Sequence, residues 1–169
     1  MTERAILIFP KFENIDFIDE IRKKYDPLYG FIAPHITLVF PFESNMSKND
    51  INLHLNECLK EVKSFKLVMK GITGDTGGYL FLNVKQGNDN IIELHDLLYK
   101  DKLNDYLYRG LTYKPHLTIG RINDQEMFNN VLEELKDFEN EFEINVDKVF
   151  VEVISGIAKS VTETQISLL

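Results

Sequence analysis

An α+β fold built from two similar halves is the architecture this sequence predicts, and three observations predict it. Short β-type runs alternate with amphipathic helical stretches along the whole chain. A five-residue motif occurs twice, at corresponding points of the two halves. No Pro-, Gly- or Ser-rich linker divides the chain, so residues 1–169 are expected to form a single domain whose two lobes fold as one unit.

The elements follow in order. Ala5–Phe9 is an apolar β-type run. The spacing predicts a helix over Ile15–Tyr25, with Asn14 as its cap, and the pair Asp26-Pro27 should end it, because a residue before proline is pushed out of the helical region. His35–Phe40 is rich in β-branched and aromatic residues and reads as a strand. Ser47 suits the N-cap of a helix from Lys48 to Val62. Phe65–Thr73 and Tyr79–Lys85 read as the arms of a hairpin around the turn Gly74-Asp75-Thr76-Gly77-Gly78. The plan then repeats: a helix over Asn90–Leu107, a strand over His116–Ile122, a helix over Gln125–Phe138, and strands over Phe142–Ile154 and Val161–Leu169 joined by a turn near Gly156.

Composition narrows the function classes. A chain of 169 residues, 44% hydrophobic and 27% charged, can bury a core without disulfide or metal staples. Its net charge of −8 is opposite in sign to the surface that wraps nucleic acid. That balance favours a small ligand, or one end of a polynucleotide, held by a few local cations. The single cysteine, Cys58, lies in an apolar-periodic stretch and reads as a core thiol. The apolar run Ala5–Pro10 is too short for a signal segment or a membrane span, so a cytoplasmic protein without membrane association is expected.

The repeat carries the chemistry. Pro34-His35-Ile36-Thr37-Leu38 recurs as Pro115-His116-Leu117-Thr118-Ile119, 81 residues on. The chain holds four histidines, and a given one has a chance of roughly 1 in 700 of sitting in such a context. Strand side chains alternate between faces, so His35 and Thr37 share one face, as do His116 and Thr118, while Ile36, Leu38, Leu117 and Ile119 point to a core. Two such strands facing across a cleft supply two imidazoles and two hydroxyls around one group. One imidazole can take a proton from the attacking oxygen and the other can give one to the leaving oxygen. The threonine hydroxyls can donate to the non-bridging phosphate oxygens. No metal or other cofactor is required, and two histidines without a nearby Cys or carboxylate make an incomplete zinc set.

These motifs, with the flank Lys114-Pro115-His116-Leu117-Thr118-Ile119-Gly120-Arg121, resemble the two-histidine (2H) phosphoesterase superfamily, which includes the RNA 2′,3′-cyclic phosphodiesterases also called 2′-5′ RNA ligases. The stretch Ile21–Phe42 is similar to a bacterial branch of it. The resemblance spans nearly the whole chain in element order. It implies two antiparallel sheets with outer helices and a pseudo-two-fold cleft between them. It implies a nucleotide or RNA end as substrate, cleaved at a 2′,3′-cyclic or 2′-5′ phosphodiester, with 2′-5′ ligation as the reverse reaction. It also implies His116 as the base that activates water and His35 as the acid on the leaving oxygen. Arg121 matches a position that is often basic in the family, yet strand parity turns it away from His116 unless the strand bulges near Gly120; Phe40 stands at the matching place in the first half. Tyr79, Phe42 and Tyr113 are candidates for stacking on a base.

Other features read as structure. His54 and His95 lack the threonine two residues on and lie in helical patterns. The run Asp75-Thr76-Gly77-Gly78 is a hairpin turn and lacks the pattern of a phosphate loop. The acidic stretch Glu133–Glu143 is a solvated face. The competing function is a nucleotide- or RNA-end-binding module that uses the same cleft without turnover.

Overall fold

A computed structural model describes residues 1–156 and 159–169, and shows two four-stranded antiparallel sheets with helices. The strands are β1 (Thr2–Ile8), β2 (Ile36–Ser44), β3 (Phe65–Asp75), β4 (Tyr79–Gln86), β5 (His116–Arg121), β6 (Glu141–Val146), β7 (Lys148–Ser155) and β8 (Lys159–Ser167). The first sheet runs β2-β1-β7-β8 and the second β5-β4-β3-β6. The helices are α1 (Asp16–Tyr25), α2 (Lys48–Leu59), α3 (Asn88–Leu98) and α4 (Gln125–Leu135). This is the α+β, two-sheet arrangement that the sequence predicts. No described helix is long and apolar enough to cross a membrane.

Local signals set most boundaries. Ser47 and Asp50 form a reciprocal capping box at the start of α2. Asp124 caps α4 by accepting from the Met127 backbone N–H. In the β3–β4 hairpin, Gly78 has φ +77°, and a Cβ there would come within 1.9 Å of the Ile122 carbonyl oxygen, so only glycine fits.

Several expectations need correction. Asn14 does not cap α1: the capping position is Ile15, and the Asn14 side chain donates to the Glu141 carbonyl instead. The helix expected to run to Val62 ends at Leu59, and the one expected to run to Phe138 ends at Leu135. The helix expected over Asn90–Leu107 stops at Leu98, and the chain re-forms as a 3-10 segment over Asp101–Tyr106 after Asp101 takes a positive φ of 48°. The strand expected over Phe142–Ile154 is two strands in different sheets, parted at Asp147. The turn near Gly156 runs partly outside the described residues.

The two halves interlock. Helix α1, between β1 and β2 of the first sheet, packs on β5 of the second; α3, between β4 and β5, packs on β2 of the first. Each edge strand that follows a motif histidine is therefore backed by a helix from the opposite half. Gly120 permits one of these contacts, since a Cβ there would lie 2.9 Å from Cβ of Tyr25 at the end of α1. One connected apolar core joins both halves, with Ile36, Leu38 and Leu117 fully buried and Ile119 at 1% exposure.

Candidate active site

The motif residues sit as strand alternation requires. His35, Thr37, His116 and Thr118 are half-buried on one face, opposite the buried aliphatic residues between and after them. β2 and β5 are each the edge strand of their sheet, and they approach one another within 8 Å between Cα atoms. Positive charge on His35 bears on His116, lowering its pKa, so the two imidazoles share one electrostatic environment.

The prolines explain the histidine geometry. A residue before proline is held extended, and in both copies its carbonyl accepts from the imidazole two residues on. The distance from His35 Nδ1 to the Ala33 oxygen is 2.9 Å, and from His116 Nδ1 to the Lys114 oxygen 2.6 Å. A carbonyl can only accept, so Nδ1 carries the proton in both rings. Each neutral imidazole then keeps its lone pair on Nε2.

A bulge follows each motif at the same place. In the first sheet Leu7 pairs with Thr37 and Ile6 with Val39, skipping Leu38. In the second, Phe81 pairs with Thr118 and Leu80 with Gly120, skipping Ile119. The extra residue resets the strand parity. Arg121 therefore pairs with Tyr79, on the same face as Phe81 and Thr118, and its guanidinium lies 4.9 Å from the centre of the Tyr79 ring. The bulge required to bring Arg121 to the His116 face is present.

The surroundings of the two histidines differ. The His116 ring stacks on Phe81 at 3.7 Å between centroids. Lys114, which is paired with Asp75, holds its ammonium 5.9 Å from the centre of the same Phe81 ring. His35 meets Phe9 edge-on at 6.1 Å. Buried Arg22 lies close enough to depress the His35 pKa, while it holds the loop ahead of the motif through Asp26 and the Ile32 carbonyl. Burial is the largest influence on each imidazole and pushes both pKa values below the ordinary histidine value; the backbone carbonyl bonds act in the opposite direction.

The other expected residues have different placements. Tyr113 donates its hydroxyl to the Thr37 carbonyl at 2.8 Å and lays its ring flat against His95 at 3.7 Å. Burial pushes its pKa well above the tyrosine value. His95 Nδ1 bonds the Leu38 carbonyl at 2.8 Å, and the Tyr99 hydroxyl accepts from the Phe40 backbone N–H at 3.0 Å. Thus His95, Tyr99 and Tyr113 clamp the bulge of β2, and Tyr113 has a hydroxyl and a ring face already engaged. Phe42 is a core residue at 5% exposure, packed on Tyr106. His54 is buried against the Leu98 carbonyl, with Cys58 alongside. Among the described residues, no three His, Cys, Asp or Glu side chains are grouped to hold a metal ion.

Sequence reasoning passed over Lys114, Asp75, Tyr99 and Glu152 as site residues. Lys114 had a signal, since it directly precedes the second motif. Asp75 had only the turn in which it sits, and Tyr99 and Glu152 are brought near the motifs by tertiary packing alone.

Two imidazoles and two hydroxyls on adjoining edge strands of a duplicated α+β fold define a class of protein. The family model of the 2′-5′ RNA ligase superfamily matches residues 10–156, and the chain belongs to that family. Among its relatives, a protein of Geobacillus thermodenitrificans, named as a candidate phosphoesterase, is 30% identical over 150 residues, covering 85% of this chain and 83% of that one. A Bacillus licheniformis protein named in the same way is 28% identical over 137 residues, or 78% of each chain. The fold is shared with Escherichia coli LigT, solved as a complex with 3′-AMP, at a TM-score of 0.72, 15% identity and coverage of 99% of this chain and 98% of that one. It is likewise shared with TT0787 of Thermus thermophilus, at a TM-score of 0.68, 15% identity and coverage of 98% and 97%.

Proposed function

We propose that this chain is a metal-independent phosphodiesterase that opens 2′,3′-cyclic phosphates, or cleaves 2′-5′ linkages, at nucleotides or RNA ends, with His35 and His116 as its acid–base pair and residues 1–169 working as one unit. The observation that carries the reading is the matched anchoring of the two rings: each donates Nδ1–H to a carbonyl two residues back and keeps Nε2 free, and each has a threonine two residues on.

The chemistry balances with these groups alone. Nε2 of His116 takes a proton from water as the water oxygen bonds to phosphorus. The bond from phosphorus to the ribose 3′ oxygen breaks, leaving a 2′-phosphate, and protonated His35 gives its Nε2 proton to that oxygen. Thr37 and Thr118 donate to the non-bridging oxygens, where charge accumulates. Lys114 and Arg121 add positive charge on the His116 side. A charge on either imidazole disfavours a second on the other, so the singly protonated pair is the working form. With a ribose 5′-hydroxyl in place of water, the same step joins ends through a 2′-5′ bond; its reverse, in which the 3′-hydroxyl attacks phosphorus and expels the 5′ oxygen, cleaves that bond.

The test is a panel of nucleoside 2′,3′-cyclic phosphates, cyclic-phosphate-ended RNA and 2′-5′ dinucleotides, assayed in EDTA with identification of the product isomer. Hydrolysis to one isomer, unaffected by EDTA, is expected. Binding of the panel without product would instead make the chain a nucleotide-binding module; loss on chelation with recovery by a divalent ion would make it a metalloenzyme.

A further inference from the structure

A cavity of 570 Å³ adjoins His35, and its walls include Phe9, Phe31, Phe150, Glu152, Thr162 and the motif residue Pro34. It is continuous with the site. Phe9 touches the His35 ring, and the Glu152 charge acts on that ring. Register places Glu152 on the catalytic face: Leu7 pairs with both Thr37 and Phe150, and Glu152 lies two residues beyond Phe150.

Glu152 is unusual for its setting. It is 3% exposed, on a central strand, with phenylalanines about it. A buried carboxylate needs donors, and the Thr162 hydroxyl on the paired strand supplies one. A carboxylate has about four acceptor sites, so it can also receive hydrogen bonds from a ligand in the cavity. Aromatic walls with one fixed acceptor group suit a flat, partly apolar ring with N–H donors on its edge.

We propose that this cavity is the nucleobase subsite and that Glu152 makes it selective for guanine, a proposal that rests on the nucleotide reading above. Guanine presents N1–H and the N2 amino group side by side, which match the two carboxylate oxygens. Adenine and cytosine present an amino group beside a ring nitrogen lone pair, which the second oxygen repels. Uracil presents one N–H between two carbonyls. The substrate is thereby oriented, with the base toward Glu152 and the phosphate toward the imidazoles, Lys114 and Arg121.

The experiment compares kcat/KM on the four nucleoside 2′,3′-cyclic phosphates, and calorimetric Kd for guanosine and uridine 3′-monophosphates, in wild type and Glu152→Gln. Wild type should favour guanosine over uridine by roughly ten- to a hundredfold, the discrimination of one bidentate contact. Glu152→Gln should collapse that ratio; because a general loss of fold or catalysis lowers all substrates together, the ratio is the readout. Should Glu152→Gln not fold, Phe31→Ala, at a wall residue 52% exposed, should weaken binding of both monophosphates by a similar factor. Equal use of the four bases by wild type, or an unchanged ratio in Glu152→Gln, overturns the guanine assignment and leaves the phosphodiesterase reading standing. A wild type that neither cleaves nor binds any of these nucleotides overturns both.

Discussion

The two motif copies are alike in their backbone and unlike in their neighbours. Each has a proline before the histidine, an Nδ1 bond to the carbonyl before that proline, a threonine on the same face and a bulge one residue later. Around His116 the added groups are Lys114, with its partner Asp75, and Arg121 over Tyr79. Around His35 they are buried Arg22, Phe9 and the Glu152 wall. The bulge has opposite uses in the two copies. It carries the exposed Arg121 to the His116 face in one, and in the other it leaves Phe40 N–H and two carbonyls to the clamp of Tyr99, His95 and Tyr113. On the proposed mechanism, the repeated parts are those that proton transfer needs twice. On the same proposal, the divergent parts are those that a substrate with two different ends needs once each.

The hardest way to break this comparison is to remove each imidazole. General acid–base steps contribute about 10²–10⁴-fold in rate, so His35→Ala and His116→Ala should each cost about 3–5 kcal/mol in the barrier, and the double variant should be little worse than the worse single one. Thr37→Ala and Thr118→Ala should each cost about 1–3 kcal/mol, as each removes one hydrogen bond to a charged group. The measurement is kcat/KM on one cyclic nucleotide, with thermal melts as the folding control. Full activity in His35→Ala beside a dead His116→Ala would replace the paired model with a single-histidine mechanism.

A smaller effect sharpens the asymmetry. Lys114→Ala and Arg121→Ala should raise KM more than they lower kcat, each by about 3- to 10-fold at low salt, because exposed cations act on phosphate through a screened field. The difference from wild type should shrink as salt rises. Equal losses at 50 mM and 500 mM salt would show that these residues act through structure.

Much of this was legible in the sequence. The repeat located four residues of the candidate site, and strand parity put each His and Thr on one face. Parity alone misplaced Arg121, because a bulge is a property of pairing between two strands and has no residue type of its own here. The break at Asp147 left a partial trace: apolar residues fall at 142, 144 and 146 before it and valines at 149, 151 and 153 after it, a slip from even to odd positions that Phe150 and Ile154 blur. The stop of α3 at Leu98 left none, because apolar periodicity continues to Leu103. The sequence signal for aromatic residues at the site was equally weak. Phe42 and Tyr79 are indistinguishable by pattern, yet one is in the core and the other faces Arg121.

The smallest expected effect concerns stability and pH. His35, His95 and His116 all have pKa values lowered by burial. Between that lowered value and the unfolded value of about 6.5, the unfolded chain binds more protons than the folded one. Stability from these groups is therefore fully present above about pH 6.5 and declines as pH falls through the window below it. The carboxylates of Asp50, Asp75, Glu139 and Glu163 also have lowered values, held down chiefly by side-chain hydrogen bonds from Ser47, Lys114, Lys70 and Arg4. Their contribution is present above the unfolded carboxyl range of about 4 and is lost only below it, so the two declines begin at different pH. Urea midpoints measured from pH 8 to pH 3 should show a first decline beginning near pH 6.5 and a second beginning near pH 4.5. His35→Gln and His116→Gln should each reduce the first decline and leave the second intact. Lost packing against Phe9 or Phe81 would shift the whole curve equally at every pH, whereas lost titration changes its slope in the first window alone. A first decline that keeps its full slope in both variants would mean that these imidazoles are as easily protonated in the folded chain as in the unfolded one, and the half-buried acid–base pair would have to be redrawn as two exposed rings.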